Sequence, residues 1–169
     1  METVMIYPHP LSYFSAQELA EIDQAASYST LCGYALEVLK RMPPGVHMVC
    51  GPITTGGAGS PEANLKRFSG AIDILHRYNY NVFTQMPFEG PMHRLQSLDN
   101  HSQASALQLL TEFYLPVFKS GKVTYLCFLP DWQTSFGASW EHNRGTELVL
   151  GRKYFRDDFE EGHPILWIE

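Results

Sequence analysis

The chain has 169 residues, a length that suits one domain with a sizeable core. Its formal net charge of −6 argues against a binder of nucleic-acid polymers, because such proteins present a basic face. No apolar run reaches the roughly 18 residues of a membrane span, so we expect no membrane contact. The three cysteines lie in apolar contexts without the spacing of metal ligands, which indicates reduced core residues of a cytoplasmic protein.

Residues 1–45 are predicted to form an arm and a helical extension ahead of the main unit. The arm is rich in aromatic residues and prolines, so we expect it to lie extended over an apolar surface. Ser15 and Glu18 make a capping box at the start of the first helix, and the second helix stops at two prolines. We expect this extension to serve packing or subunit contact. The two helices are predicted over about 16–26 and 29–42.

Residues 46–169 alternate apolar runs with amphipathic segments and are predicted to form one compact α/β unit. This alternation predicts a parallel sheet with helices on both faces. Residues 86–102 are predicted to be an irregular polar stretch, either a functional loop or a solvated excursion with a short helix. The final ILWIE segment is either a fifth edge strand or an arm. Strands are predicted over about 46–50, 80–84, 122–129 and 148–155, and helices over about 61–78, 104–119 and 137–147.

A flexible loop, ITTGGAGS, joins the first strand to a helix that Ser60 caps and Pro61 begins. A strand, a glycine-rich loop and a helix N-terminus together can hold a phosphate through backbone NH groups. The glycines match neither GxGxxG nor the P-loop, because no GK[ST] follows them. The loop is therefore either a ligand contact or a plain connection.

The stretch LPDWQTSFGASWEHNRG, residues 129–145, is predicted to run from the end of a buried strand through a tight loop into a helix. Ligands of open α/β sheets bind beyond the carboxyl ends of the strands. Glu141 lies in the first turns of this helix, where the helix dipole favours an ionised carboxylate, and an ionised carboxylate can act as a nucleophile. Ser135, Gly137 and Ala138 offer a hydroxyl and backbone NH groups for an anion, and Ser135 equally suits an N-cap.

The segments VCGPITTGG (49–57) and LPDWQTSFGASWE (129–141), with the spacing Ser135-x-Gly137-x-x-x-Glu141, resemble the nucleoside 2-deoxyribosyltransferase superfamily. The resemblance covers about residues 46–155 and is closest to the branch of 2'-deoxynucleoside 5'-phosphate N-hydrolases. It implies a flavodoxin-like three-layer α/β sandwich with a parallel sheet of about five strands. It also implies Glu141 as the nucleophile that attacks the anomeric carbon, no metal or organic cofactor, and a homodimer or higher homo-oligomer.

The same resemblance implies roles for other residues. A serine at position 135, rather than a carboxylate, favours a 5'-phosphate, since serine does not repel the dianion. Trp132 is expected to stack on the base, with Phe88 as the other aromatic candidate. The acid that assists base departure is Asp131 or Glu112, and Asp131 equally suits a turn. The residues implied on the sugar and phosphate side are Gly51, Pro52, Ile53, Gly56, Gly57, Ser135, Gly137 and Ala138.

We therefore expect hydrolysis of the N-glycosidic bond of a nucleoside or deoxynucleoside 5'-monophosphate through a covalent glycosyl-enzyme. One alternative is a nucleoside deoxyribosyltransferase, which passes the same sugar to a second base. The other is a non-catalytic nucleotide-binding or sensing protein. The sequence leaves the preferred base open.

Overall fold

An open four-stranded sheet runs through the protein in the spatial order β1, β2, β3, β4. The computed structural model describes residues 1, 3–54 and 56–169. β1, β2 and β3 are parallel, and β4 is antiparallel to β3. The predicted α/β class, with a mostly parallel sheet and helices, is thus confirmed. The strands are β1 (Val46–Cys50), β2 (Val123–Phe128), β3 (Gly151–Phe155) and β4 (Ile165–Ile168).

One prediction about the sheet was wrong, and one that was left open is decided. The strand expected over 80–84 is a single parallel bridge between Val82 and His47, because the chain turns into a helix at Met86 and leaves no length for a ladder. The ILWIE segment does form an edge strand, β4, but an antiparallel one. The turn that joins β3 to β4 is too short for the crossover that a parallel pairing needs.

The helices precede and connect these strands, and four of them, α1, α2, α3 and α7, match predicted helices with small shifts of their ends. Ser15 and Glu18 form the predicted capping box: Ser15 Oγ accepts from the Glu18 NH at 3.0 Å, and Glu18 Oε1 accepts from the Ser15 NH at 2.9 Å. The helices are α1 (Ala16–Asp23), α2 (Tyr28–Arg41), α3 (Pro61–Arg77), α4 (Met86–Ser97), α5 (Gln103–Leu109), α6 (Leu115–Phe118) and α7 (Phe136–Glu147).

The prediction that residues 86–102 are irregular is corrected, because most of this segment is the helix α4. Two prolines made the segment look irregular, although a proline in the first turn of a helix replaces an NH that has no partner there. The buried stripe of α4 consists of Phe88, Met92 and Leu95, which follow helical spacing. This helix becomes one wall of the site described below.

The predicted helix over 104–119 is interrupted by one π-helical turn, Leu110–Tyr114, between α5 and α6. A π turn widens the helix by one residue per turn and re-aims the side chains that it carries, and such turns are frequent at functional sites. Here the turn buries Leu110, Phe113 and Tyr114. The helix thus changes its winding before it reaches Pro116.

Successive residues of β1 supply two buried clusters on opposite sides of the sheet. Met48 and Cys50 join a large cluster that includes side chains of α1 and α2, such as Ile22 and Leu31. Val49 joins a second cluster with the buried face of α3. The N-terminal helices therefore pack into the larger cluster together with the sheet. Among the described residues, none of the helices is both long and apolar enough to cross a membrane.

The three cysteines, Cys32, Cys50 and Cys127, are free thiols with buried side chains. This agrees with the prediction that they are reduced core residues. Burial raises the pKa of all three thiols. Cys50 differs from the other two because it ends β1 beside the site.

Candidate active site

The loop before α7 sets the position of its first turn. Asp131 has a left-handed backbone with φ of 65°, and a short 3-10 turn follows it. Ser135 then caps α7, its Oγ accepting from the Ala138 NH at 3.2 Å. Glu141 lies on the second turn of the helix with only 7% of its surface exposed. The strand β2 thus ends in a turn that aims a buried carboxyl group inward.

Glu141 lines a cavity of about 580 Å³. Its walls come from the start of α7, from α4, from the π turn with α5, and from the loop after β1. Apolar side chains form much of the lining, including Met92, Leu109 and Leu110. The ionisable and hydroxyl-bearing lining residues are Thr54, Glu89, His93, His101, Ser102, Tyr114, Ser135 and Glu141.

Glu89 on α4 is a second carboxyl group in this cavity, and sequence reasoning missed it. Glu89 Oε1 and Glu141 Oε2 are shielded from solvent and find no hydrogen-bond partner among the described residues. A buried polar atom without a partner costs roughly 1–3 kcal/mol, and such atoms in native proteins point to a ligand or a catalytic role. Two of them share this cavity.

The electrostatics of the cavity favour carboxyl groups that hold protons. Burial raises the pKa of Glu89 to about 7. Burial also raises the pKa of Glu141 to about 8, with the Cys50 thiol lowering it and the charge of Glu89 raising it further. Burial first, then the charges of Glu89 and Glu141, raise the pKa of Tyr114. Glu89, Glu141 and Tyr114 therefore interact as one set of groups.

Of the residues predicted for the site, Ile53, Ser135 and Gly137 line the same cavity as Glu141. Ala138 is buried beneath them and donates its NH to Ser135. Phe88 is buried in the core against Phe113, with ring centroids 5.1 Å apart. Phe136 instead lines the cavity with 44% of its surface exposed. Phe136 thus offers the exposed aromatic face that Phe88 does not.

The glycines of the loop after β1 serve backbone packing. A Cβ on Gly51 would lie 2.6 Å from Leu129 Cδ1. Gly56 and Gly57 both have φ of 69°, and a Cβ on Gly56 would overlap Thr134. The Gly57 NH donates to Thr134 Oγ1 at 3.1 Å. These contacts tie the loop to the turn that precedes α7.

Buried Asn64 on α3 closes the same loop from the other side. Its Nδ2 donates to the carbonyls of Ile53 and Gly56 at 3.1 and 3.0 Å, and its Oδ1 accepts from the Ala58 NH at 2.7 Å. The predicted phosphate contacts of Pro52, Gly56 and Gly57 are corrected accordingly: these residues lie apart from the cavity, and the Gly57 and Ala58 amides already have acceptors. Thr55 of this loop lies outside the described residues.

Asp131 and Trp132 line a different cavity, of about 540 Å³, which α7 lines with His142 from another face of the helix. Trp132 stacks on His142 with ring centroids 4.2 Å apart. The Asp131 carbonyl accepts from Thr134 Oγ1 at 2.6 Å, as expected of a turn residue. The prediction that these two residues share a site with Glu141 is therefore corrected, because α7 separates the two cavities.

Glu112 is also apart from the cavity. It lies exposed on the π turn, where Gln108 Nε2 donates to its Oε2 at 3.2 Å. The π turn directs Tyr114 inward and leaves Glu112 in solvent. The other carboxyl group that lines the cavity of Glu141 comes from another helix, as Glu89. The sequence signal that could have identified Glu89 is a single carboxylate beside Phe88 and Met92, which form the buried stripe of α4.

A buried and a partly buried carboxyl group, together with a phenol in one largely apolar cavity, can transfer protons and attack an electron-poor carbon. Across the described part of the chain, no group of three or more His, Cys, Asp or Glu side chains is arranged to hold a metal ion. Comparisons with protein-family models, with curated proteins and with solved structures found no match for this chain.

Proposed function

We propose that this protein hydrolyses the N-glycosidic bond of a nucleoside or deoxynucleoside 5'-monophosphate, releasing a free base and a sugar phosphate. The observation that carries the proposal is the pair of carboxyl oxygens, on Glu89 and Glu141, that lie unpartnered in one cavity of the described structure. Glycoside cleavage is a reaction that needs two carboxyl groups in different protonation states.

In the proposed mechanism Glu141 is the nucleophile. Its carboxylate attacks C1' as the bond to the base lengthens, and Glu89 gives its proton to the departing base. The resulting glycosyl ester on Glu141 is then cleaved by water, with Glu89 taking one proton from that water. The sugar phosphate leaves with a free hydroxyl at C1', and both carboxyl groups regain their starting states.

The active form of the pair carries one proton. Two nearby carboxyl groups in an apolar setting do not both ionise readily, so the pair retains a proton near neutral pH. The Cys50 thiol beside Glu141 lowers the pKa of that carboxyl group and thereby favours its ionised, nucleophilic form. The pKa of Glu141 is nevertheless the higher of the two, about 8 against about 7, so the assignment of Glu141 as nucleophile and Glu89 as acid rests on the position of Glu141 after the Ser135 turn and not on these pKa values.

The fold supports the same proposal. If the Val82 bridge is counted as a short fifth strand, the spatial order becomes the bridge, β1, β2, β3 and β4. This is the order of a flavodoxin-like doubly wound sheet, in which ligands bind beyond the carboxyl ends of the strands. The Glu141 cavity lies there, next to the ends of β1 and β2.

The cavity also suits a nucleotide in size and chemistry. Its volume of about 580 Å³ lies in the usual range for small-molecule sites. We assign the apolar wall with Phe136 to the base, and the Ser135 hydroxyl and Gly137 NH to the sugar and phosphate side. The proposed mechanism uses no metal or organic cofactor.

We further propose a cytoplasmic homodimer or higher homo-oligomer that binds no nucleic-acid polymer. Exposed apolar side chains at both ends of the chain, including Ile6 at 83% and Ile168 at 61% exposure, support self-association. Light scattering coupled to size exclusion measures the mass in solution. A monomer at all concentrations would contradict this part of the proposal.

The test is chromatography of free base after incubation with a panel of ribo- and deoxyribonucleoside 5'-monophosphates, including 5-modified pyrimidines. We expect release by the wild type and a loss of at least about 10³-fold in Glu141→Gln. The matched control is Glu147→Gln on the same helix, an exposed residue paired with Arg144, which should keep wild-type rates. Release that survives in Glu141→Gln would refute the nucleophile.

The same incubation tests a deoxyribosyltransferase. A second free base is added, and a new nucleotide that contains it would identify transfer instead of hydrolysis. A protein that binds a nucleotide in a thermal-shift assay yet releases no base over long incubation would be a binding or sensing protein.

A further inference from the structure

Two histidines at the mouth of the Glu141 cavity form a pair. His93 on α4 and His101 before α5 both line the cavity, with ring centroids 4.8 Å apart. Both residues are exposed, whereas Glu141 at the floor is buried. The cavity thus has an acidic floor and an imidazole-lined mouth.

The backbone holds this pair at a definite distance from the floor. His93 follows Glu89 by four residues on α4, so the two side chains share a helix face and lie about 6 Å apart along the axis. His101 returns to the same face because Asn100 and His101 take left-handed conformations, with φ of 52° and 51°. The His101 NH donates to the Gln96 carbonyl at 2.9 Å and fixes this return.

The charges around the cavity indicate which ligand group this mouth accepts. Among the described lining residues, His93 and His101 are the two whose side chains can carry a positive charge. Neighbouring Arg94 points away, donating to the carbonyls of Asp23 and Ala25 at 3.1 and 2.7 Å. The Gly57 and Ala58 amides of the glycine loop are occupied. A dianionic ligand therefore has this one source of charged donors in the described cavity.

We propose that His93 and His101 form the binding subsite for a terminal phosphomonoester. The inference rests on the proposed function for its orientation: the phosphate lies between the imidazoles, and the anomeric carbon lies against Glu141. One helical turn between His93 and Glu89 matches the length of a ribose 5-phosphate moiety. The pair thus selects nucleoside monophosphates over free nucleosides.

The test uses ligands that the protein cannot turn over. Isothermal titration of the wild type with ribose 5-phosphate and 2-deoxyribose 5-phosphate is compared with titration with ribose. We expect the phosphates to bind and ribose to bind at least about tenfold more weakly, as expected for the loss of charge-assisted hydrogen bonds. Equal affinities for ribose and its phosphate would overturn the subsite.

The variant arm compares His93→Asn/His101→Asn with a control pair. We expect the double variant to lose at least about tenfold in affinity for the sugar phosphates. His93→Lys/His101→Asn, in which an ammonium group replaces one imidazole, should recover part of that affinity. His9 and His76 form a similar ring pair, 5.1 Å apart, away from the cavity, so His9→Asn/His76→Asn should bind like the wild type. Wild-type affinity in His93→Asn/His101→Asn would refute the proposal.

This result is separable from the proposed activity. Sugar-phosphate binding that depends on the histidines, without base release from any nucleotide, keeps the subsite and refutes the glycosidase. Base release by a protein whose sugar-phosphate affinity does not change when His93 and His101 are replaced supports the glycosidase and refutes the subsite.

Discussion

The two cavities on either side of α7 differ in how their carboxyl groups are satisfied. Consecutive residues of that helix serve them: Glu141 enters one, and His142 enters the other. In the cavity of His142 the shielded atom without a partner in the described structure is Arg152 Nε, on a guanidinium group whose Nη1 contacts Thr146 and Glu169. His142 Nε2 lies 2.7 Å from the Tyr154 hydroxyl, which donates to Glu169 Oε2 at 2.7 Å. In the Glu141 cavity, by contrast, Glu89 and Glu141 each keep a buried oxygen without a partner among the described residues.

This difference separates a structural network from a candidate reactive site. The aromatic and polar groups around Trp132 stack on and hydrogen bond to each other, which stabilises the fold. Unpaired carboxyl oxygens shielded from solvent destabilise the fold, and proteins retain such destabilising groups at functional sites. Catalysis is therefore expected on one side of α7 and stability on the other.

After Glu141→Gln, the largest expected effect on base release is that of Glu89→Gln. The amide keeps the shape but carries no transferable proton, so we expect a loss of roughly 10²–10⁴-fold. Wild-type activity should fall both below and above the singly protonated range of the pair, because Glu141 must be ionised and Glu89 protonated. The rate of Glu89→Gln should instead only rise with pH to a plateau. A bell-shaped profile in Glu89→Gln would contradict the assignment of the acid.

Trp132→Ala tests the opposite side of α7. It removes the ring that stacks on His142, and we expect unfolding free energy to fall by about 2 kcal/mol, measured by urea denaturation. Base release per folded molecule should change by less than about threefold. A loss of catalysis without a loss of stability would show that the reaction takes place in the cavity of Trp132 and not in that of Glu141.

Glu141→Gln should stabilise the protein while it abolishes activity. The raised pKa of Glu141 means that the folded state binds more protons than the unfolded state between about pH 4.5 and 8, so wild-type stability falls as pH rises through that range. Glutamine stays neutral, so we expect Glu141→Gln to gain on the order of 2 kcal/mol at pH 8.5 and much less at pH 5. Thermal melts at the two pH values measure this, and an equal gain at both would contradict the buried, protonated carboxyl group.

The smallest effects are expected for Asp131→Asn and Glu112→Gln. Neither carboxyl group shares the cavity of Glu141, so base release should stay within about threefold of wild type. A loss of more than about 30-fold in either variant would show that the replaced carboxyl group is the acid that assists base departure, as the sequence indicated, and that Glu89 is not.

The sequence predicted the elements whose signals are local. Strand β1 and the capping box at Ser15 follow from patterns within a few residues, and both are present. The strand-loop-helix with Ser135 and Glu141 was predicted for the same reason. Within residues 86–102 the sequence allowed only a short helix, because prolines obscured the helical stripe of α4, and it therefore missed Glu89.

The α/β class can be predicted from the chain alone, because apolar periodicity decides which face of each element is buried. The same holds for the position of Glu141 after a buried strand and at the start of a helix. Which groups meet Glu141 depends instead on how the helices pack. Glu89 lies 52 residues before it in the chain and Asp131 only ten, yet the helix α7 separates Asp131 from the cavity and the packing of α4 brings Glu89 into it. Distance along the chain does not determine such contacts, because side-chain direction on packed helices does.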